Sequence, residues 1–238
     1  MSAATPSLRL ALLGNPNCGK TALFNLLTGS RQKVANYAGV TVDRKEGQFT
    51  TPAGKTFRVL DLPGAYSLNA LSIDEEITRD VILGRLDEEP RPDLIVCVGD
   101  ATNLKLNLRL VLEVRRLGLP MILALNMSDM ARRRGIVIDV PALARELGMP
   151  VVSTIAIRSH GADELIRQLE TAHIAAASPA ASWLPPDVAD VSATQREVRR
   201  ILAATVTQPA TDTRRDERID RVVLHPLWGM LILAGTLF

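Results

Sequence analysis

The amino-acid sequence predicts an α/β fold in which helices cover both faces of a mostly parallel β-sheet. From residue 8 to about residue 176, short apolar runs alternate with segments of helical spacing, and this alternation is typical of such a sheet. The chain has 238 residues, of which 47% are hydrophobic and 23% charged. It is therefore long and apolar enough to bury a sizeable core, and its composition argues against a disordered chain and against a protein with several membrane spans.

The individual elements follow from the lengths of the apolar runs and from the residues that end them. The predicted strands are residues 8–13, 40–49, 55–61, 94–99, 121–126 and 151–155. The predicted helices are residues 20–27, 104–117, 141–147 and 163–176. Gly118 and Pro120 end the second of these helices. Residues 31–39 are polar and lack periodicity, so we expect a loop there.

The composition changes after residue 176. Residues 175–186 are rich in Ala, Ser and Pro and are typical of a linker, whereas residues 192–206 return to helical spacing and residues 214–223 are compatible with a short charged helix. An apolar run begins at Leu227, directly after four arginines, which are Arg214, Arg215, Arg218 and Arg221. Twelve apolar residues are too few to cross a bilayer, but arginines in this position are expected on the cytoplasmic side of a membrane helix.

The strongest chemical motif lies between the first strand and the first helix. Its residues are Gly14, Asn15, Pro16, Asn17, Cys18, Gly19, Lys20 and Thr21. They match the phosphate-binding loop (P-loop) pattern G-x-x-x-x-G-K-[ST], in which backbone N–H groups surround phosphate oxygens. Lys20 is expected to contact the β- and γ-phosphates, and the Thr21 hydroxyl is expected to bind Mg²⁺. Ala22 completes the predicted phosphate-binding segment.

A second motif follows the strand that ends at residue 61. It comprises Asp61, Leu62, Pro63 and Gly64. A carboxylate at the end of a buried strand suits a role in holding Mg²⁺, and Gly64 allows its backbone N–H to approach the γ-phosphate. Ala65 stands where a Ras-like enzyme has a glutamine that orients water, so hydrolysis is expected to be slow or to use another group.

Two further segments predict which base is bound. Asn126, Met127 and Asp129 follow a buried strand in an N-x-x-D pattern. The carboxylate of Asp129 is able to accept hydrogen bonds from N1–H and the exocyclic amine of guanine, and adenine offers neither donor in that arrangement. Ala156 is the best match to the backbone element that supports the base, and Thr154 belongs to the same predicted segment. The motifs therefore indicate GTP rather than ATP.

The segment between the P-loop and Asp61 contains Gly39, Val40 and Thr41. A threonine here is expected to complete the Mg²⁺ shell only when the γ-phosphate is present, as switch loops do. Thr41 is also compatible with an ordinary strand residue, because threonine is common in strands. Together with Lys20 and Gly64, Thr41 is among the expected catalytic residues.

These motifs resemble a Ras-like P-loop GTPase, and longer matches resemble the bacterial ferrous iron transport protein B (FeoB) family. The matching stretches are 14–25, 34–42, 61–68, 100–108, 124–127 and 218–226. The resemblance implies GTP and GDP binding, dependence on Mg²⁺, slow GTP hydrolysis and a regulatory role in iron uptake. It also implies that Asn17 is a catalytic residue that binds K⁺, and a K⁺ ion near the phosphates stimulates hydrolysis by supplying positive charge.

The resemblance also implies an organisation and a location. It divides the chain into a GTP-binding G domain (1–176), a short helical domain (177–223) and the truncated start of a first transmembrane helix (224–238). The helical domain is shorter than in many relatives. The implied location is the cytoplasmic face of the bacterial inner membrane. The implied partners are the chain's own transmembrane region, small accessory proteins of the iron transport system and further copies of the chain.

Two other functions remain open from the residues alone. A soluble Era-like GTPase that assists ribosome or RNA maturation has the same motifs, but it needs a basic RNA-binding appendage. The net charge is only +2, and no lysine follows residue 176, so nucleic acid is not an expected partner. A helical interaction module that uses nucleotide only structurally is the third possibility. The two cysteines fit a reducing compartment.

Overall fold

The computed structural model describes residues 7–29, 32–37, 40–87, 89–172 and 184–207. The strands are β1 (Leu8–Gly14), β2 (Gln32–Asn36), β3 (Asp43–Thr50), β4 (Thr56–Asp61), β5 (Leu94–Asp100), β6 (Met121–Asn126), β7 (Val137–Ile138), β8 (Val151–Ser153) and β9 (Val206–Thr207). The helices are α1 (Lys20–Thr28), α2 (Ile73–Leu83), α3 (Leu104–Arg115), α4 (Ser128–Arg133), α5 (Val140–Leu147), α6 (Asp163–Thr171) and α7 (Val188–Thr205).

Seven strands form one sheet in the order β2-β3-β4-β1-β5-β6-β8. The pairs from β4 to β8 are parallel, and the two pairs that involve β3 are antiparallel. Because parallel strands end at the same edge of a sheet, Gly14, Asp61 and Asn126 at the ends of β1, β4 and β6 lie along one edge, where α/β proteins bind their ligands. The predicted mostly parallel sheet is confirmed.

Side chains of the central strand β1 alternate between two hydrophobic clusters. Leu10 and Leu12 pack with residues of α1 and α6 on one face of the sheet, whereas Ala11 and Leu13 pack with residues of α2, α3 and α5 on the other. A strand covered on both faces is apolar along its whole length. This burial explains the continuous apolar run of β1 from Leu10 to Leu13.

The prediction of a loop over residues 31–39 is wrong for residues 32–36, which form the edge strand β2. The predicted strand 40–49 begins later, at Asp43. Helix α2 was not predicted, although Ser72 caps it by accepting a hydrogen bond from the Glu75 backbone N–H at 3.3 Å. Short α4 and the two-stranded sheet of β7 and β9 were also not predicted.

Several element ends also differ from the prediction. Helix α3 ends at Arg115 and strand β8 ends at Ser153. Helix α6 ends at Thr171, and residues 173–176 of the predicted helix lie outside the described residues. Helix α5 starts at Val140, capped by the Asp139 carboxylate.

Helix α7 packs against α3 and α5, and its Val198 and Ile201 belong to the same buried cluster as those helices. It begins at Val188, four residues before the predicted start, because Asp187 and Asp190 form a reciprocal cap at its first turn. Within the described residues, none of the helices combines the length and apolarity needed to cross a membrane. The predicted charged helix 214–223 and the apolar run from Leu227 lie outside the described residues.

Candidate functional site

The P-loop joins the end of β1 to the start of α1 through two left-handed backbone positions. Asn17 has φ 64° and Gly19 has φ 84°. Glycine is required at position 19, since a Cβ there would lie 2.1 Å from Asn126 Nδ2. No side chain caps α1, and its first turn carries no acidic residue. The first N–H groups of α1 therefore suit a bound anion such as phosphate.

The Asp61 carboxylate connects the two P-loop side chains that were predicted to act on phosphate and Mg²⁺. Its Oδ1 lies 2.5 Å from Lys20 Nζ, and its Oδ2 accepts a hydrogen bond from Thr21 Oγ1 at 3.1 Å. The side chains of Lys20 and Asp61 are only 10% and 4% exposed. A hydroxyl beside a carboxylate is the kind of oxygen donor set that Mg²⁺ prefers, so the residues present fit that ion.

The chain after Asp61 is attached by backbone contacts to the end of β1 and to the first residue of the P-loop. The Leu62 N–H donates to the Leu12 carbonyl at 3.1 Å, and the Ala65 N–H donates to the Gly14 carbonyl at 3.2 Å. A Cβ on Gly64 would lie 3.0–3.2 Å from atoms of Pro16. Glycine at position 64 thus permits the close approach of the two loops.

The methyl group of Ala65 is fully buried. It has no polar atom and no exposed surface with which to contact an attacking water. The neighbouring Pro63 carbonyl is held by the Thr78 hydroxyl at 2.9 Å. The expectation that Ala65 does not orient water therefore has a structural basis in its burial.

Two glutamates that sequence reasoning missed hold the segment after Ala65. Glu75 accepts hydrogen bonds from the backbone N–H groups of Tyr66 and Leu71 at 3.0 and 2.9 Å. Glu113 accepts from the Ser67 hydroxyl at 2.8 Å and from the Leu68 N–H at 2.7 Å. The position of Glu75 three residues after Ser72 is the sequence signal that identifies it, because this spacing marks a helix start.

Asn126 connects the P-loop to the segment predicted to support the base. Its Nδ2 donates to the Cys18 carbonyl at 3.0 Å, and its Oδ1 accepts from the Ala156 N–H at 2.9 Å. Asn126 is 3% exposed. The Asn126 side chain therefore links the P-loop and the Ala156 loop by two buried hydrogen bonds, which we call the Asn126 clasp. The sequence pattern did not reveal this role.

The other residues around the predicted base contacts lie near Asn126 in sequence or next to the Ala156 loop. Met127 has a left-handed backbone (φ 58°) and precedes α4. The Ser128 hydroxyl donates to the Thr154 carbonyl at 3.0 Å, while Thr154 Oγ1 is buried without a hydrogen-bond partner. The Asp129 carboxylate lies 3.6 Å from the Arg158 guanidinium. Arg158 was not among the predicted site residues.

The predicted switch residues are placed differently. Thr41 is exposed, and its side chain makes no hydrogen bond with any described residue. The turn before it is closed by bonds between the Val40 N–H and the Tyr37 carbonyl and between the Tyr37 N–H and the Val42 carbonyl, at 3.2 and 3.0 Å. Gly39 lies outside the described residues. The structure thus does not join Thr41 to Asp61 or Thr21.

Three other P-loop residues differ in exposure. Asn15 is buried, and its Nδ2 donates to the Leu106 carbonyl of α3 at 3.2 Å, whereas Asn17 is exposed. Cys18 is buried, and burial raises the pKa of its thiol to about 11. Ala22 is half-buried against the α1 cluster.

With this geometry established, comparison with known proteins identifies the chain's relatives. The family model described as ferrous iron transport protein B matches residues 8–169. The chain belongs to the ferrous iron transport protein B family. This membership confirms the resemblance inferred from the motifs, and it favours the transporter interpretation over an Era-like GTPase.

Two curated relatives of the family are similar over the same region. The Fe(2+) transporter FeoB of Escherichia coli (strain K12) is 48% identical over 162 residues, covering 66% of this chain and 20% of its own length. An Fe(2+) transport protein A/FeoB fusion protein of Porphyromonas gingivalis is 45% identical over 166 residues, covering 70% and 19%. The chain therefore spans about a fifth of the length of these relatives.

A solved structure of the family supports the fold. The cytosolic domain of the T. maritima FeoB iron transporter, in a GDP form, superposes with a TM-score of 0.73 at 28% identity. The match covers 86% of this chain and all of that chain. The P-loop GTPase fold predicted from the sequence is confirmed by this likeness.

Proposed function

We propose that this chain binds GTP and GDP, hydrolyses GTP slowly, and serves as the cytosolic nucleotide-binding part of a bacterial Fe²⁺ transporter. The observation that carries the proposal is the Asp61 carboxylate bridging Lys20 and Thr21 at the carboxyl edge of the sheet. The likeness to a family structure in a GDP form supports it.

Phosphate binding follows from the P-loop geometry. The uncapped N–H groups of the first turn of α1 bind phosphate oxygens. Lys20 adds a positive charge for the β- and γ-phosphates, and Gly64 brings its N–H close to the same region. Thr21, Asp61 and Thr41 would hold Mg²⁺, which neutralises phosphate charge when bound. Asp61 thereby exchanges its present contacts with Lys20 and Thr21 for a role at the metal.

Slow hydrolysis follows from Ala65, which lacks a group that orients water. The exposed side chain of Asn17, on its left-handed backbone, is available as a ligand for K⁺. A bound K⁺ supplies positive charge near the phosphates. Asn17 therefore connects the P-loop to potassium-stimulated hydrolysis in this proposal, and Thr41 acts as the switch residue.

Guanine specificity is assigned to Asp129. Its carboxylate accepts hydrogen bonds from the base in place of its contact with Arg158. Asn126 holds the P-loop and the Ala156 loop at a fixed separation, so that the base and the phosphates are bound together. Adenine leaves the Asp129 carboxylate without those donors, at a cost of about 1–3 kcal/mol for each polar group left unpaired.

The place of this chain in a transporter rests on its relatives. In this proposal residues 1–176 form the G domain, residues 177–223 a short helical domain and residues 224–238 the start of a membrane helix at the cytoplasmic face of the inner membrane. GTP binding acts as a regulatory switch for Fe²⁺ uptake through the membrane region. The fused P. gingivalis relative makes the small transport protein A a candidate partner, and self-association is a further candidate.

The proposal is tested by measuring GTP turnover of the 238-residue chain in K⁺ and in Na⁺. We expect wild type to be about tenfold or more faster in K⁺, because a bound cation contributes several kcal/mol of charge stabilisation. Asn17→Ala should lose the difference, and Asn25→Ala, which changes an exposed asparagine on α1, should keep it. No GTP binding in either salt would contradict the whole proposal. Turnover at equal rates would contradict only the potassium step.

A further inference from the structure

A groove of about 570 Å³ lies between α3 and α7, and none of its lining residues is among the predicted phosphate and base contacts. Its polar lining consists of three cations and two amides, which are Lys105, Arg109, Arg199, Asn103 and Gln195. No carboxylate lines it within the described part of the chain. This volume is in the range of small-molecule sites, which run from about 300 to 1,000 Å³.

The positive charge of the groove is poorly compensated. Lys105 and Arg199 are exposed, and neither forms an ion pair with any described residue. Arg109 is paired with Glu113 at 3.0 Å, but Glu113 also accepts hydrogen bonds from the segment after Ala65. Like charges held close together raise the free energy of the folded chain unless a counter-charge is present.

Arg200 on α7 shows how an arginine of this helix is compensated where carboxylates lie near it. Arg200, next to Arg199 in sequence, contacts the carboxylates of both Glu146 and Glu197, at 2.6 and 2.9 Å. These two carboxylates raise the pKa of Arg200 further above its already high ordinary value. Arg199 has no such partner in the described residues. Arg196 likewise forms no ion pair with a described residue, but of the three arginines of α7 it is Arg199 that lines the groove.

We propose that this groove binds a phosphate-bearing anion. Lys and Arg donors suit phosphate because charge-assisted hydrogen bonds are stronger than neutral ones, and Arg offers a planar set of donors. The amides of Asn103 and Gln195 add neutral donors at the edge. The exposed side chain of Leu106 contributes an apolar surface beside the cations. The ligand is either a soluble polyphosphate or the headgroup of an anionic phospholipid.

The groove is connected to the P-loop through one hydrogen bond. The Leu106 carbonyl accepts from Asn15 Nδ2 at 3.2 Å, and Asn15 is 3% exposed. An anion that holds the first turn of α3 would also hold Asn15, and it should slow the release of GDP. Slower release of GDP rests on the proposed nucleotide binding, whereas binding of the anion to the groove does not depend on it.

The test compares wild type with Lys105→Gln/Arg199→Gln and with a matched control, Arg133→Gln/Arg145→Gln. The control removes the same charge from exposed arginines of α4 and α5 that form no ion pair among the described residues. One arm titrates inorganic pyrophosphate into the 238-residue chain by calorimetry. All three proteins keep the P-loop, so the groove contribution is the binding that the groove variant loses and the control variant keeps. The other arm measures co-sedimentation with phosphatidylcholine vesicles, with and without phosphatidylglycerol.

We expect wild type to bind in at least one arm, and the groove variant to bind about tenfold more weakly there because two charge-assisted contacts are lost. The control variant should stay within about twofold of wild type, since distant surface charges act weakly. Loss in the pyrophosphate arm identifies a soluble ligand, and loss in the vesicle arm identifies a lipid headgroup. Absence of binding by wild type in both arms, binding by the groove variant equal to wild type in both arms, or an equal loss in both double variants would overturn the proposal.

Discussion

The two sides of the candidate nucleotide site are built differently. The base side (residues 126–129 and 154–158) is tied together by the buried Asn126 amide, which bonds to both the P-loop and the Ala156 loop. The switch segment (residues 40–42) carries the exposed Thr41, whose side chain has no hydrogen-bond partner among the described residues. The fold therefore fixes the residues assigned to binding, whereas no described residue holds the side chain of the threonine assigned to catalysis.

The largest expected effect is at Gly19, on the P-loop side of the Asn126 clasp. Gly19→Ala places a methyl group against Asn126 Nδ2 on a left-handed backbone. We expect GDP affinity to fall by about a hundredfold or more and the free energy of unfolding to fall by about 2–4 kcal/mol, because strain and displacement of a buried amide add together. Fluorescent GDP titration and denaturant unfolding measure the two quantities.

The matched control for this change is Gly54→Ala. Gly54 also has φ 84°, but a Cβ there meets no atom within 4 Å. It should show only the backbone strain of about 1–2 kcal/mol, with GDP affinity unchanged. If the two variants behave alike, the clash with Asn126 does not matter and the base side is not a rigid unit.

The next largest effect is expected for Asn126→Ala. The change leaves the Cys18 carbonyl and the Ala156 N–H buried without partners, at about 1–3 kcal/mol each. Thermal unfolding should show this loss together with weaker GDP binding. Asn103→Ala, at an exposed asparagine, should cost no more than about 0.5 kcal/mol. Equal melting temperatures for the two variants would rule out the clasp.

The sequence predicted only part of the difference between the base side and the switch segment. The strand ends at Gly14, Asp61 and Asn126 were predictable because β1, β4 and β6 are buried, and buried strands appear as apolar runs. The hydrogen bonds of Asn126 were not predictable, since they join residues that are 108 and 30 positions apart. Only the folded sheet brings those loops together.

Strand β2 and helix α2 were not predicted, and both failures have physical causes. Strand β2 is polar and exposes Val34 because it lies at the edge of the sheet, so its sequence lacks the apolar signal of a central strand. Helix α2 has three acidic residues in its first turn, which obscure its apolar face. Its cap at Ser72, followed by Glu75, was the available signal.

On the switch segment, substitution should change catalysis without changing binding. Thr41→Ala removes an exposed hydroxyl, so we expect melting temperature and GDP affinity to match wild type. GTP turnover should fall by about tenfold, because the hydroxyl is assigned to the Mg²⁺ shell of the GTP state. Single-turnover hydrolysis measures the loss. A parallel fall in GDP affinity would remove the distinction between the two sides.

The smallest expected effect is the pH dependence of Cys18. Its thiol has a pKa of about 11 in the folded chain because it is buried. About one thiol in a thousand is ionised at pH 8, so alkylation by iodoacetamide should be slow there and should speed up towards pH 11. Cys97 should not contribute, because full burial raises the pKa of its thiol still further.

The same shift has a consequence for stability. A raised folded pKa favours the protonated thiol, so its stabilising contribution is complete below about pH 9 and is lost as the pH rises towards 11. Cys18→Ala should flatten the fall in melting temperature over this window. An unchanged pH profile in that variant would show that the P-loop thiol is not buried as described.

The central claim is that Asp129 and the clasped base side select guanine, and it is tested most directly by the affinities of the 238-residue chain for GTP and ATP in the presence of Mg²⁺. The account predicts that GTP binds about a hundredfold or more tightly than ATP, since a site built for hydrogen-bond donors rejects a base that lacks them. It also predicts that Asp129→Asn loses most of this preference while its melting temperature stays the same. Equal affinities of wild type for GTP and ATP would contradict it.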